Sequence, residues 1–252
     1  VYKRQRYGFM VYAIAARRVG ANPVIADERD YTADVDAILS VVTEKTRVIF
    51  IANPNNPTGT LLNPSEIERL HAALPGDIVL VIDGAYAEYV SVDDYDGGLK
   101  LAQSAPNVVM TRTFSKIYGL AAERVGWAYG PQEIIDVLNK IRGPFNVTGT
   151  GQAAAIASLK DQHWMDQARE HNDYWRPWLE DKLRRLGLNP VPSEGNFILV
   201  EFPKTLEYSA SDANTYLTEQ GYLLRRLPSM GLEHCLRLSV GSAEENKGVI
   251  NA

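Results

Sequence analysis

Short apolar runs alternate with stretches of helical periodicity along most of this chain. Residues 47–52, Arg47-Val48-Ile49-Phe50-Ile51-Ala52, are rich in β-branched and aromatic side chains and run into a Pro/Asn/Gly cluster. That pattern predicts a buried strand entering a loop. Asn63-Pro64-Ser65-Glu66 follows, with a cap residue, a first-turn proline and an early acid, which predicts a helix start. Residues 77–83, 107–111 and 125–129 predict further strands, the last closed by Gly130-Pro131, and residues 9–16 form a helix-like apolar stretch. The strands are continuously apolar and not alternating, and helices separate them. This predicts an α/β fold with a mainly parallel sheet covered on both faces.

The pattern changes further on. Residues 149–186 predict one long helical stretch, with Pro177 as its kink or break. Beyond it, strands are expected at 197–202, 221–225 and 236–240, with a helix at 211–220 and the start of another from Glu244. The expected organisation is a large domain over residues 6–145, a connecting helix over 146–187 and a smaller α+β domain over 188–252. The first five residues, Val1-Tyr2-Lys3-Arg4-Gln5, lack an initiating methionine and are expected to be a cloning or assembly scar outside the fold.

Composition narrows the class. Of 252 residues 45% are hydrophobic and 23% charged, the balance of an ordinary globular protein, which excludes disorder and collagen-like structure. With 26 basic and 31 acidic residues the net charge is −5, which argues against a nucleic-acid partner. The single cysteine, Cys235, excludes an internal disulfide and fits a reducing compartment. The uncharged apolar run over residues 9–16 falls far short of the ~18 residues that span a bilayer. A cytoplasmic protein without a membrane partner is expected.

In an open α/β sheet, ligands bind at the carboxyl ends of the strands, and three polar clusters are expected there. Asn53-Pro54-Asn55-Asn56-Pro57-Thr58-Gly59 alone reads as a rigid turn, and Asp83-Gly84-Ala85-Tyr86 as a helix cap beside a tyrosine. Thr113-Phe114-Ser115-Lys116-Ile117-Tyr118-Gly119-Leu120, with Arg124 beyond, reads as an exposed lysine loop. Together they supply an acid, a phenol, an amide, a lysine, hydroxyls and an arginine. That inventory suits a phosphorylated aromatic aldehyde: the lysine forms an imine, the acid pairs with a ring nitrogen, and the hydroxyls and arginine take the phosphate.

These motifs resemble the fold-type I pyridoxal-phosphate aminotransferases. Besides the three clusters, the resemblance rests on Arg124-x-Gly126, Arg142-x-Pro144-Phe145-Asn146-Val147 and Leu236-Arg237-Leu238-Ser239-Val240-Gly241, and it covers the chain after Gln5. The Pro-Phe-Asn-Val segment and the carboxy-terminal arginines resemble the histidinol-phosphate branch. The resemblance implies pyridoxal 5′-phosphate as cofactor, with Lys116 carrying it as an imine and shuttling the proton. It implies Asp83 on the pyridine nitrogen, Tyr86 and Asn56 on the phenolic oxygen, and Thr113, Ser115 and Arg124 on the phosphate. Phe9, or Tyr7 in its place, would stack on the ring. Arg237 would grip the substrate carboxylate and join Arg225 on the substrate phosphate, with Asn146 also at the substrate. It further implies a small amino-acid or amino-alcohol phosphate substrate, 2-oxoglutarate or glutamate as its partner, and a homodimer.

The chain departs from the family at several positions. Gly84 stands where a glutamate is usual, Ala122-Glu123 replace a Gly-Leu pair, and Met230 stands where an aromatic is common. The family's amino-terminal segment, with a phosphate-binding loop and a tyrosine-bearing arm, is expected to be missing, and the carboxy-terminal end to be cut. His71, His163, His171 and His234 lack metal-ligand spacing, so no metal is expected. Trp164, Tyr174, Trp175 and Trp178 are expected to pack at the domain junction, and Arg184-Arg185 to be a solvated helix end. The alternatives are an aromatic or aspartate-type aminotransferase, a threonine-phosphate decarboxylase, and, outside enzymes, the ligand-sensing domain of a transcription regulator.

Overall fold

The computed structural model describes residues 2–205 and 207–252. The chain opens with strand β1 (Tyr2–Gln5), helix α1 (Val11–Arg18) and strand β2 (Pro23–Ala26). A small hairpin, β3 (Glu28–Arg29) and β4 (Thr32–Ala33), leads to α2 (Val35–Ser40) and β5 (Val48–Ala52). Helix α3 (Pro64–Ala73), β6 (Val79–Asp83), α4 (Leu99–Ser104), β7 (Val108–Thr113) and β8 (Gly126–Tyr129) complete the first layer. The six strands β1, β2 and β5–β8 form one sheet in the order β2-β1-β5-β6-β7-β8, parallel except where β8 runs against β7.

Tyr2–Gln5 is therefore no scar. It is an interior strand, hydrogen-bonded to β2 on one side and β5 on the other, and Lys3 and Gln5 are only 2% exposed. Its polar sequence hid it, because interior strands of parallel sheets usually read as apolar runs. The Gln5 amide oxygen accepts the Ala52 N–H at 2.9 Å, a partner that makes burial of this side chain tolerable.

Why the central strands form is clear from their side chains. Ile49, Ile51, Leu80, Ile82, Val108 and Met110 are almost fully buried in one cluster with Ile67 and Leu70 of α3 and Val35 and Ile38 of α2. Full burial of each such side chain contributes roughly 1.5–3 kcal/mol. Helix α3 begins as its sequence predicts: Asn63 caps it by accepting the Ser65 N–H, and Pro64 occupies its first turn.

After β8 come α5 (Gln132–Ile141), α6 (Gly149–Lys160) and α7 (Gln162–Arg185). The single connecting helix expected over 146–187 is thus two helices, broken at Asp161 and not at Pro177. The Asp161 carboxylate accepts the Trp164 N–H and starts α7, which runs unbroken through Pro177. Local capping decides the break. Of the aromatics on α7, Trp175 is buried and Trp178 packs against the core below, whereas Trp164 and Tyr174 are half or more exposed. Arg184 and Arg185 do form a solvated helix end, paired with Glu180 and Asp181 one turn earlier.

The second sheet has β9 (Asn189–Pro190), β10 (Phe197–Glu201), β11 (Arg225–Leu227) and β12 (Leu232–Ser239) in the antiparallel order β11-β12-β10-β9. Helix α8 (Ala210–Glu219) lies between β10 and β11, and α9 (Ala243–Asn251) follows β12. The strand expected over 221–225 begins only at Arg225. Gly221, at φ +87°, ends the helix first, and the intervening residues stay irregular. Leu179 and Leu183 of α7 close this layer's core with Ile198, Val200, Leu236 and Leu238.

Candidate active site

The three polar clusters converge as the sheet predicts. Ala52 and Asp83 are register partners at the ends of β5 and β6, and Asp83 pairs in turn with Thr111 of β7. The loops that follow these neighbouring strands therefore emerge side by side. The 53–59 loop is held by mutual bonding of the Asn53 amide with the Leu62 backbone, at 2.9 and 2.7 Å.

Asn56, Tyr86, Lys116 and Arg237 form one connected group. Arg237 Nη1 donates to Asn56 Oδ1 at 2.6 Å, and Asn56 Nδ2 donates to the Tyr86 hydroxyl at 3.3 Å. Lys116 Nζ stands 5.0 Å from the centroid of the Tyr86 ring, and Phe197 meets that ring edge-on with centroids 5.0 Å apart. The Arg237 guanidinium also lies 5.0 Å over Phe197. Burial pushes the Arg237 guanidinium below its ordinary value; Tyr86 opposes that shift and Arg225 adds to it. Its Nε is buried with no protein partner among the described residues. A half-buried cation with spare donors is a competent anion hook.

Arg225 is the register partner of Arg237 across β11 and β12, so both guanidiniums rise from one face of the sheet. Arg225 is exposed. Two guanidiniums on register-paired positions have the charge and donor geometry that suit a doubly charged anion.

The lysine loop is built by local hydrogen bonds. Thr113 Oγ1 accepts the Ser115 N–H at 3.1 Å, and the Lys116 carbonyl accepts the Gly119 N–H at 2.9 Å. Arg124, in a left-handed conformation at φ +56°, turns its Nη1 to Ser115 Oγ at 3.3 Å. Hydroxyls and a guanidinium thus gather beside Lys116. On the other side of the cleft Asp83 Oδ2 accepts the Tyr12 hydroxyl at 2.5 Å and Asp83 Oδ1 accepts the Ala85 N–H at 3.1 Å. Phe9 meets Tyr12 edge-on at 5.9 Å and is 39% exposed. Tyr7 packs instead with Tyr31 on the second sheet's core, ring centroids 5.8 Å apart.

Asn146 is not brought to this group. It is exposed and accepts Arg142 Nη1 at 2.9 Å within its own loop. Met230 packs against the cluster that includes Leu227 and Leu232.

Three contributors escaped sequence reasoning. Tyr12 lies on α1 and reaches Asp83 across 71 positions, a contact no local pattern announces. Trp164 Nε1 donates to the Ile117 carbonyl at 2.9 Å, bracing the residue after Lys116. Gly59 lets the second layer approach: a Cβ there would lie 2.6 Å from Ser193 Cβ, and its carbonyl accepts the Glu194 N–H at 2.8 Å.

The Asp83 carboxylate, the Lys116 amine and the Thr113–Ser115–Arg124 group fit a phosphorylated pyridine aldehyde, and the buried Arg237 Nε leaves a spare donor for a second anion beside it. No cluster of metal-ligating residues occurs among the described residues.

Comparison with known proteins follows the same line. The family model for aminotransferase class I and II matches residues 2–252. A histidinol-phosphate aminotransferase of Sphingopyxis alaskensis is 52% identical over 250 residues, 98% of this chain and 67% of the relative. That of Erythrobacter litoralis is 53% identical over 95% of this chain and 65% of its own length. The chain thus spans about two thirds of these curated relatives. The structure of histidinol-phosphate aminotransferase from Sinorhizobium meliloti in complex with pyridoxal-5′-phosphate superposes with a TM-score of 0.90 at 28% identity, covering 100% of this chain and 68% of that one.

Proposed function

This chain belongs to the class I and II aminotransferase family, and from that premise we propose that it transfers the amino group of histidinol phosphate to 2-oxoglutarate, with pyridoxal phosphate as cofactor. The observation that carries the reading is the Lys116–Tyr86–Asn56–Arg237 group, which joins the amine to an anion-binding guanidinium within one cleft. Relatives at 52% and 53% identity bearing the histidinol-phosphate name support the substrate.

When bound, pyridoxal phosphate supplies a ring that draws electron density from the substrate Cα. Lys116 would hold its aldehyde carbon and afterwards, through the freed Nζ, carry a proton to and from the substrate Cα. The Asp83 carboxylate would hold the proton on the ring nitrogen, and Tyr12 and the Ala85 N–H keep that carboxylate aimed. Tyr86 and Asn56 would bond the phenolic oxygen, and Thr113, Ser115 and Arg124 the phosphate. Phe9 would cover the ring. Arg237 would orient the substrate's anionic end, with Arg225 opposite it on the strand pair taking charge that a monoanion lacks. Asn146 belongs to the substrate contacts only if its loop moves from the position bonded to Arg142.

A cytoplasmic homodimer is part of this reading. The exposed apolar side chains Ile141 and Phe145 are surface that a second copy would cover. No helix among the described residues is long and apolar enough to cross a membrane. The direct test is a parallel assay with histidinol phosphate, phenylalanine and aspartate as amino donors. A kcat/KM for histidinol phosphate at least tenfold above the other two is expected; equal or higher values for either would overturn the substrate assignment.

A further inference from the structure

Arg112 touches both the 84–88 turn and the 95–98 loop beside the cleft, and nothing in the reading above uses it. It lies on β7 between Thr111 and Thr113, and strand alternation turns it away from the Thr113 hydroxyl to the opposite face. Its side chain is only 8% exposed. Nη1 donates to the Gly97 and Thr111 carbonyls, each at 3.3 Å, and Nη2 donates to the Asp96 carbonyl at 3.2 Å. Nε lies 3.5 Å from Glu88 Oε1.

The space it occupies exists because two glycines leave it. A Cβ on Gly84 or on Gly97 would come within 2.8 Å of the guanidinium carbon. The missing side chain of Gly84 is the room into which Arg112 folds.

The segments it grips carry the chemistry. Gly84 and Glu88 bracket Tyr86, and Gly84 directly follows Asp83. The 95–98 loop is stiff in its own right, since Asp96 accepts the Gly98 and Lys100 N–H groups, both at 2.8 Å. From that loop the Tyr95 hydroxyl donates to the Asn53 carbonyl at 2.6 Å and so reaches the loop that carries Asn56. Lys116 itself follows Arg112 by four residues along the exit of β7.

The chemistry of the contact favours geometry over stability. Glu88, its side chain 13% exposed, is raised above the ordinary carboxylate range by burial, with Arg112 and Arg169 opposing the shift, and Glu88 Oε2 has no partner among the described residues. A buried ion pair of this kind is a poor source of net stability, because desolvation offsets the attraction. A planar fork that meets three carbonyls and a carboxylate does fix the distances between the segments that supply them, which a lysine cannot do.

We propose, resting on the cofactor reading above, that Arg112 is a positioning residue that sets Asp83 and Tyr86 against Lys116 for pyridoxal phosphate. It acts through the 84–88 turn and the 95–98 loop and touches neither cofactor nor substrate.

The test compares wild type with Arg112→Lys and with the double variant Arg112→Met/Glu88→Gln, which removes both buried charges at similar volume. Each apoprotein is melted by circular dichroism and then titrated with pyridoxal phosphate, followed by visible absorbance. The expected result is a cofactor Kd raised at least tenfold in both variants, with at least one of them melting within about 3 °C of wild type. A residue that only stabilises the fold would lower the melting temperature and leave Kd within twofold. That result, or a double variant that binds as wild type does, overturns the inference while the cofactor reading stands. If both variants melt far below wild type, Kd measured well under their transitions decides by the same tenfold criterion. A wild-type protein that takes up no pyridoxal phosphate overturns the cofactor reading, and this inference with it.

Discussion

The Tyr12 hydroxyl donates to Asp83 Oδ2 at 2.5 Å, across 71 positions of chain. The Tyr12 ring is fixed from both sides, stacked on Phe50 at 4.9 Å and met edge-on by Phe9 at 5.9 Å. A donor held this firmly aims the carboxylate. A hydrogen bond to a charged acceptor contributes roughly 1.5–3 kcal/mol. Tyr12→Phe should therefore weaken pyridoxal phosphate binding by about 10- to 100-fold, read by absorbance titration. Because the effect runs through Asp83, the same substitution made on Asp83→Asn should cost less than threefold more. Additive losses in that double-mutant cycle would show that Tyr12 acts on something else.

Lys116 is the only lysine in the connected group around Tyr86. Lys116→Ala should abolish transamination and remove the visible absorbance that a lysine-bound cofactor gives. The fold should survive, because the loop is closed by backbone bonds from Gly119 and Leu120 rather than by the amine. A variant that could still be trapped with labelled cofactor by borohydride would refute this assignment.

Arg225 and Arg237 face each other across the strand pair, but only Arg237 is tied to Asn56. The exposed Arg225 is thus the partner whose loss leaves the rest of the group in place. One charge-assisted contact of about 2 kcal/mol corresponds to roughly 30-fold. Arg225→Ala should raise KM for histidinol phosphate by about that factor and KM for glutamate by less than threefold. Equal effects on the two substrates would remove the phosphate role from Arg225.

Glu28 offers a pH-dependent test of stability away from the cleft. Burial pushes its carboxyl up to about 8, while the Tyr7 N–H and the Arg4 and Arg6 guanidiniums pull it back. The folded form holds the proton more tightly than the unfolded chain does. Its stabilising contribution is therefore full below pH 4.5 and is lost as pH rises through about 8. Glu28→Gln keeps an oxygen for the Tyr7 N–H and carries no charge. It should melt higher than wild type at pH 8 and within a degree or two of it at pH 5. A uniform shift at both values would refute the titration.

Much of this protein was legible before its coordinates. The apolar runs at β5, β6 and β7 announce a buried parallel sheet, because both faces of such strands are covered and alternation disappears. The Asn-Pro, Asp-x-x-Tyr and Ser-Lys motifs follow those runs directly, so strand order alone puts Asn56, Asp83, Tyr86 and Lys116 at neighbouring strand ends. What tertiary structure decided was contact between distant segments. Tyr2–Gln5 became an interior strand despite its polar residues, since only partners such as Ala52 make Gln5 buriable. Asp161 rather than Pro177 broke the helix, because a cap supplies the N–H partner that a helix start requires. Tyr12 on Asp83, Arg237 on Asn56 and Arg112 in the room left by Gly84 join residues from 28 to 181 positions apart. Periodicity says which face of an element is apolar, but side-chain reach across a packed interface depends on how the elements are laid against one another.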